Sequence, residues 1–361
     1  MIESSLPIQA SSSGFIKPHG SILSKTVIKN DTKDTTDILG SRDVEELSIK
    51  PSQIQALKGL EKTGPGSISI QATDSSGIAA INQASSLAPP LAAPALIDSL
   101  GQLIVEMSDL KEGHPLHRNF RTSDGPFVEE IPNPPSREGL AELRESGSSQ
   151  FSAQGLEDMK RQIPSGRLIV VDLREESHGF VDGNPISWRG EINWPNMGKS
   201  LKWINQDESQ RLDGLRQSKG QNVKAQSEEE VCREAGAGYV RIPVTDYCRP
   251  EDRDVDQFLT FTASMPQDSW LHFHCKAGRG RTTTFMAMYD MMKNAKKVSL
   301  EDIVARQRLL NGVNLLAHKE QGDPKRLTSE MRGQFVKDFY DYCKSNDDGF
   351  KTTWTQWKNS Q

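Results

Sequence analysis

The sequence predicts an α/β fold, with a central sheet flanked by helices, for the part of the chain that follows about residue 100. Three short runs rich in β-branched and aromatic residues have the pattern of buried strands. They cover residues 167–173, 239–244 and 269–274. Segments with helical spacing alternate with these runs, as expected of a sheet covered by helices.

The helical segments are recognised by their spacing and their capping residues. Four side chains share one helical face at i, i+3, i+4 and i+7: Val255, Phe258, Leu259 and Thr262. Ser299 resembles the first residue of a capping box and predicts a helix over residues 300–310. Ser329 is expected to cap a last helix that ends near Lys344.

The first hundred residues differ in composition from the rest. They hold a single aromatic residue, Phe15, and no cysteine or tryptophan, and serine and threonine are frequent. Such a segment does not bury enough apolar surface to offset the entropy lost on ordering. We therefore predict a disordered Ser/Thr-rich segment over residues 1–100 and a folded domain over residues 101–361.

Charge and cysteine content argue against several classes of protein. The net charge of −5 argues against a broad nucleic-acid surface, so no nucleic-acid partner is predicted. The four cysteines form no CxxC pair or Cys/His cluster, which predicts neither a metal site nor a disulfide framework. No apolar segment is long enough to cross a membrane, and the N-terminus lacks the pattern of a general secretory signal.

Residues 274–282, with the sequence HCKAGRGRT, lie between a predicted strand and a helix expected over residues 282–293. Cys-x5-Arg alone is a weak signal, but two glycines and the strand-to-helix position agree with it. Inward-turned amides and a helix N-terminus suit a phosphate dianion. We expect this loop to line the phosphate site with Lys276, Ala277, Gly278, Arg279 and Gly280.

Three side chains of this loop suit phosphoryl transfer. Donors that hold a phosphate also favour a thiolate, so Cys275 is expected to be the nucleophile. The planar guanidinium of Arg281 is suited to grip two phosphate oxygens. The Thr282 hydroxyl is expected to hydrogen-bond the thiolate and help it leave. The alternative is a glycine-rich turn that holds a buried cysteine.

A thiolate displacement also needs a general acid for the leaving alkoxide. Asp246 follows a predicted strand, 29 residues before Cys275. A loop carboxylate can close over the site and act first as acid and then as base on water. A lone loop aspartate more often caps a turn, but its pairing with Cys275 favours the catalytic interpretation.

The order of these two loops resembles the protein tyrosine phosphatase (PTP) superfamily. Further segments resemble its PTP-like phytases, which are cysteine phosphatases of myo-inositol hexakisphosphate. These segments are residues 119–121 (NFR), 135–139, 146–148, 171–179 (VDLREESHG), 188, 198–199, 270–275 and 352–357. The resemblance covers about residues 115–358 and implies a PTP-like α/β core with a small partial β-barrel inserted at about residues 180–235.

The resemblance implies roles for individual residues. Cys275 is implied as nucleophile, Arg281 as the group that binds the transition state, and Asp246 as general acid. Four more side chains are implied to reach the pocket rim: Arg121, Glu176, Lys325 and Arg332. Tyr247, also expected at the substrate, stands where the family often has histidine, and Asn193 where it has aspartate.

Lys276 and Arg279 add positive charge to the mouth of the loop, a pattern that also resembles inositide lipid phosphatases of the tensin type. Several cations suit a ring that carries many phosphates. The predicted function is metal-independent, cofactor-free hydrolysis of inositol polyphosphates through a cysteinyl-phosphate. The alternatives are a phosphatase of phosphoproteins or phosphoinositide lipids, and a module that binds inositol phosphates without turnover.

The start of the chain bears on localisation. No acidic residue occurs between Ser4 and Asn30, and Ile2 stands early. This composition resembles the export signals of type III secreted effectors, and with a phytase-like domain it resembles effector phytases of plant-pathogenic bacteria. Secretion into a host cell, with host-cell targets, is therefore one expectation. A plain disordered tail on a cytoplasmic protein is the other.

Overall fold

The computed structural model describes residues 103–105, 117–163, 166–188, 193–218 and 223–361. The segment predicted to be disordered, residues 1–100, lies outside these ranges. Among the described residues, no helix combines the length and apolar character that crossing a membrane requires.

The described chain contains both strands and helices, and a helix precedes each strand that carries one of the three predicted runs. The strands are β1 (Leu103–Val105), β2 (Arg121–Thr122), β3 (Glu145–Ser148), β4 (Arg167–Arg174), β5 (His178–Val181), β6 (Asn184–Trp188), β7 (Ala225–Gln226), β8 (Gly238–Val244) and β9 (Ser269–His274). The helices are α1 (Ala153–Gln162), α2 (Leu201–Ser218), α3 (Glu228–Glu234), α4 (Asp252–Ser264), α5 (Gly280–Asn294), α6 (Leu300–Leu309), α7 (Arg326–Ser345) and α8 (Trp354–Asn359).

The central sheet has the strand order β2-β3-β9-β4-β8, with β2 antiparallel to β3 and the other pairs parallel. Strand β4 lies between β9 and β8 and is buried on both faces. Val171 and Leu173 pack into one apolar cluster with α4, α5, α6 and α7, whereas Leu168 and Val170 pack into a second cluster with α1 and α3. A strand covered on both faces needs the continuous apolar run that predicted it. The predicted α/β fold class is confirmed.

A second, antiparallel sheet has the order β1-β6-β5-β7. Strands β6 and β7 and helix α2 fall within the predicted insert, residues 180–235, and β5 begins two residues before it. A small core between this sheet and α2 contains Ile186, Trp188, Leu212 and Ala225. Strand β1 comes from well before the predicted insert, and Ile104 pairs with Ser187.

The helix ends agree with the prediction in one case and differ in another. Ser299 caps α6 by accepting a hydrogen bond from the Asp302 amide at 3.1 Å. The expectation for Ser329 was wrong, because α7 already begins at Arg326 and Ser329 lies in its first turn. Just before the helix, the Asp323 carboxylate instead accepts a hydrogen bond from the Lys325 amide at 2.7 Å.

Candidate active site

The Cys-x5-Arg loop (residues 275–281) joins β9 to α5 at the carboxyl edge of the central sheet. Strand β9 ends at His274, so Cys275 is the first residue of the loop, and its side chain is buried. The Thr282 Oγ1 hydroxyl donates to Cys275 Sγ at 3.2 Å. Gly278 has a φ of +68°, and a Cβ on it would lie 2.3 Å from the Ser148 carbonyl carbon. The path of the loop therefore requires glycine at this position.

Two side chains hold the loop by its carbonyl groups. Arg121 Nη1 donates to Gly278 O at 2.8 Å and its Nη2 to Thr283 Oγ1 at 3.1 Å, while Asn119 Nδ2 donates to Ala277 O at 2.8 Å. Arg121 is buried, and burial lowers its pKa to about 10. It thus lies beneath the loop rather than at the expected rim. Carbonyls engaged in this way leave the loop amides for an anion.

The guanidinium of Arg281 is fixed by a carboxylate behind the loop. Its Nη1 donates to Glu176 Oε2 at 2.7 Å and its Nη2 to Glu176 Oε1 at 3.1 Å. Burial opposes the charge of Glu176, but Arg281 and Arg174 hold its pKa well below the usual range. Glu176 is fully buried, so it positions Arg281 and does not reach the rim. The buried Nε of Arg281 has no hydrogen-bond acceptor among the described residues.

Asp246 lies beside the loop, as the sequence predicts for a general acid. Its Oδ1 is 3.2 Å from Arg281 Nη2, and its side chain is about one-fifth exposed, at 20%. Asn193 Nδ2 donates to Asp246 Oδ2 at 3.2 Å, and Trp194 Nε1 donates to its backbone carbonyl at 2.7 Å. The support from Trp194 was not predicted. The family resemblance at position 193 was the only sequence signal for this segment.

The rest of the acid loop, defined here as residues 245–248, contacts α7 and the residue before it. Arg332 Nη2 donates to Tyr247 O and, at 3.3 Å, to Cys248 O. The Lys325 ammonium lies 4.3 Å from the centre of the Tyr247 ring, a cation–π distance. A φ of +64° at Tyr247 is unusual for a bulky residue and costs on the order of 1–3 kcal/mol.

The expected rim residues therefore divide into two groups. Arg332 is half-buried. It lies beside the Cys-x5-Arg loop, since a Cβ on Gly280 would be 3.0 Å from Arg332 Nη1. Lys276 is half-buried and Arg279 is exposed, so both of these loop cations are accessible at the surface. Tyr247 and Lys325 meet at the acid loop, whereas Arg121 and Glu176 lie underneath.

A buried polar network extends below the loop. In the described part of the chain, Asp172, His178 and Glu228 form the grouping whose ligand atoms would suit a cation by residue type. Tyr239 donates to Asp172 at 2.8 Å, and His274 Nε2 lies 2.6 Å from Glu228 Oε1. Burial acts to lower the pKa of His178, but Asp172 raises it to about 10. With this imidazolium the cluster is an ion-pair network whose carboxylates already have protein partners.

The chain is similar to several known proteins. The family model of the PTP-like phytases, described as inositol hexakisphosphate, matches residues 213–293. The effector protein hopD2 of Pseudomonas syringae pv. tomato is 33% identical over an alignment of 263 residues, and the match covers 66% of this chain and 56% of hopD2.

Two solved structures are similar in sequence and fold. The PTP-like myo-inositol phosphatase of Mitsuokella multacida, in complex with myo-inositol-(1,3,4,5)-tetrakisphosphate, is 35% identical with a TM-score of 0.64, over 74% of this chain and 50% of that one. A PTP-like phytase of Bdellovibrio bacteriovorus is 33% identical with a TM-score of 0.61, over 74% of this chain and 96% of that one.

A parallel sheet that presents a Cys-x5-Arg loop at a helix start, with an acid loop beside it, defines the PTP class of fold. Within that class, the chain belongs to the PTP-like phytase family. The predicted family is therefore confirmed. The chain spans only about half of the length of two of these relatives, 56% of hopD2 and 50% of the Mitsuokella protein.

Proposed function

We propose that this protein is a metal-independent phosphatase that hydrolyses phosphomonoesters of myo-inositol polyphosphates through a cysteinyl-phosphate. The observation that carries the proposal is the convergence of three groups at one loop. Cys275 lies at its start, Arg281 at its end with an unpaired buried Nε, and Asp246 is 3.2 Å from Arg281. A nucleophile, an anion-binding group and a proton donor are what the reaction requires.

In the first step the Cys275 thiolate attacks phosphorus. The S–P bond forms as the ester P–O bond breaks, and the electron pair of that bond goes to the leaving oxygen. Asp246 donates a proton to this oxygen, so the inositol leaves as an alcohol. The loop amides and Arg281 stabilise the charge on the phosphoryl oxygens in the transition state.

In the second step water attacks the cysteinyl-phosphate and the S–P bond breaks. The Asp246 carboxylate, now deprotonated, takes a proton from this water. The electron pair returns to sulfur, and the hydrogen bond from Thr282, 3.2 Å from Cys275 Sγ, stabilises the departing thiolate. Inorganic phosphate is released and the thiolate is ready for another turnover.

An inositol polyphosphate is favoured as substrate by the cations around the loop. Lys276 and Arg279 are accessible, and the buried Nε of Arg332 has no acceptor among the described residues. Several cations suit a ligand with many phosphates better than a single phosphotyrosine. The tetrakisphosphate bound by the Mitsuokella protein supports the same substrate class.

The first test compares phosphate release from inositol hexakisphosphate and from a phosphotyrosine peptide near pH 5, with a chelator present. We expect fast release from the inositol substrate alone. Cys275→Ser is expected to lower kcat by at least about 10³-fold while the substrate still binds, because the hydroxyl is a poor nucleophile here.

Near wild-type turnover by Cys275→Ser would exclude the cysteinyl-phosphate route. Equal efficiency on the peptide would favour a phosphoprotein phosphatase. Tight binding of inositol hexakisphosphate by the wild type without phosphate release would favour a binding module.

We further propose that the protein is an effector secreted into a host cell. Two observations support this proposal. The chain is 33% identical to the effector hopD2 over 263 residues. Its first thirty residues also have the composition of a type III export signal, because residues 4–30 carry no acidic side chain.

A further inference from the structure

We infer that Arg332 is a positioning residue, which holds the acid loop against the Cys-x5-Arg loop so that Asp246 stays in place to transfer its proton. This inference rests on the proposed function, because it assigns Arg332 a task in the same reaction. It differs from the expectation that Arg332 only contacts the substrate at the rim.

The first observation is where the hydrogen bonds of Arg332 go. Its Nη2 donates to two successive carbonyls of the acid loop, those of Tyr247 and Cys248. These carbonyls directly follow Asp246 in the chain. Because Tyr247 has a left-handed φ of +64°, this backbone needs external contacts to keep its shape. Arg332 supplies them from another element, α7.

The second observation is that the guanidinium of Arg332 also lies against the Cys-x5-Arg loop. A Cβ on Gly280 would come within 3.0 Å of Arg332 Nη1, so there is no room for a side chain between them. One planar group thus spans the acid loop and the first residue of α5. Desolvation of this group, which lowers the pKa of Arg332, agrees with its position between the two loops.

The acid loop has two further contacts, which come from residues 193 and 194 and do not involve Arg332. Trp194 donates to the Asp246 carbonyl at 2.7 Å and Asn193 to its carboxylate at 3.2 Å. Together with Arg332, these contacts hold the backbone that carries the carboxylate. The Asp246 carboxylate then stays 3.2 Å from Arg281, where a leaving oxygen would depart. Removing Arg332 leaves these contacts and frees only the two residues that follow Asp246.

The consequence depends on the leaving group. A poor leaving group needs protonation as the P–O bond breaks, whereas a good one departs without it. Loss of the Arg332 contacts therefore lowers kcat/KM for phenyl phosphate but hardly for 4-nitrophenyl phosphate, whose phenolate is the better leaving group. The ratio kcat/KM reports formation of the cysteinyl-phosphate and excludes the water step that both substrates share. A residue that only binds substrate phosphates changes KM on both substrates alike. It leaves the ratio of the two kcat/KM values, phenyl phosphate against 4-nitrophenyl phosphate, unaltered.

The experiment measures kcat and KM of the full-length wild type and of Arg332→Met on both aryl phosphates and on inositol hexakisphosphate. We expect Arg332→Met to lower kcat/KM about tenfold on phenyl phosphate and less than about twofold on 4-nitrophenyl phosphate. Asp246→Asn is expected to show the same dependence with a larger loss, about 10²–10⁴-fold. Arg332→Lys is expected to recover little, because one ammonium does not span two carbonyls as a guanidinium does.

The matched control is Arg326→Met on the same helix, which removes an exposed arginine paired with Glu330 at 2.6 Å and should leave kcat, KM and folding unchanged. If Arg332→Met raises KM on inositol hexakisphosphate while the leaving-group ratio stays at the wild-type value, Arg332 is a substrate contact and the inference is wrong. Full recovery by Arg332→Lys would have the same meaning. Failure of the wild type to turn over any of the three substrates would overturn the proposed function itself, and with it this inference.

Discussion

Two adjacent glutamates show how strongly local partners decide the state of a side chain. Glu175 and Glu176 are both buried, and Glu176 pairs with Arg281 of the Cys-x5-Arg loop. Burial acts to raise the pKa of Glu176, but the guanidinium groups of Arg281 and Arg174 keep it well below the usual range. Burial raises the pKa of Glu175 to about 7, and the hydrogen bond from Thr245 offsets this only in part. One carboxylate is therefore charged at neutral pH, while the other titrates there.

This difference predicts how stability changes with pH. The pKa of Glu175 is higher in the folded than in the unfolded state, so its contribution is complete below about pH 4.5 and is lost as pH rises through about 7. Glu175→Gln should therefore reduce the loss of unfolding free energy between pH 5 and pH 8 by about 2 kcal/mol. Urea unfolding at the two pH values measures it, with the exposed Glu142→Gln as control. Equal pH dependence in wild type and Glu175→Gln would contradict the assignment.

At the scale of elements, helices α5 and α6 are joined by a buried ion pair. Arg306 Nε donates to Asp290 Oδ2 at 2.8 Å, and both side chains are fully buried. Arg306 also donates to the carbonyls of Ser136 and Glu138 at 3.0 and 2.9 Å. One guanidinium thus fastens two helices and a loop that precedes β3.

Removing this guanidinium is expected to be costly. Arg306→Met leaves the Asp290 carboxylate buried without its cation and should lower the unfolding free energy by about 3–5 kcal/mol. Chemical denaturation measures the change. The neighbouring exposed pair of Arg308 and Glu129 provides the control, since Arg308→Met should change stability by less than about 1 kcal/mol. If both variants lost a similar amount of unfolding free energy, the buried Arg306–Asp290 pair would contribute no more to stability than the exposed pair.

The features that could be read from the sequence are those fixed by local pattern. Strand β9 has the predicted bounds because its own six residues, rich in aromatic side chains, carry the pattern, and Ser299 caps α6 because the signal lies within four residues. The burial of Arg121 and Glu176 could not be read, because each is decided by a partner more than a hundred residues away, Gly278 and Arg281. The contact of Trp194 with Asp246 is non-local in the same way.

At the scale of the whole molecule, the division at residue 100 remains a prediction with a direct test. A variant that lacks residues 1–100 retains β1 and every residue assigned to the reaction. We expect its kcat/KM on inositol hexakisphosphate to stay within about twofold of the full chain, because the removed segment, with one aromatic residue and no tryptophan, is predicted to be no part of the folded domain. Export through a type III system should be lost. An inactive or unfolded truncation, or one still exported, would refute the division or the signal.

The pairing of β1 with β6 has a consequence for recombination between members of the family. Ile104 and Ser187 are partners although eighty-three positions separate them in the chain. A chimaera that exchanges only residues 180–235 takes β6 from one parent and β1 from the other. The β1–β6 pair at the edge of the second sheet then joins two strands from different proteins. Exchanges that move residues 101–105 with that block keep both partners from the same parent.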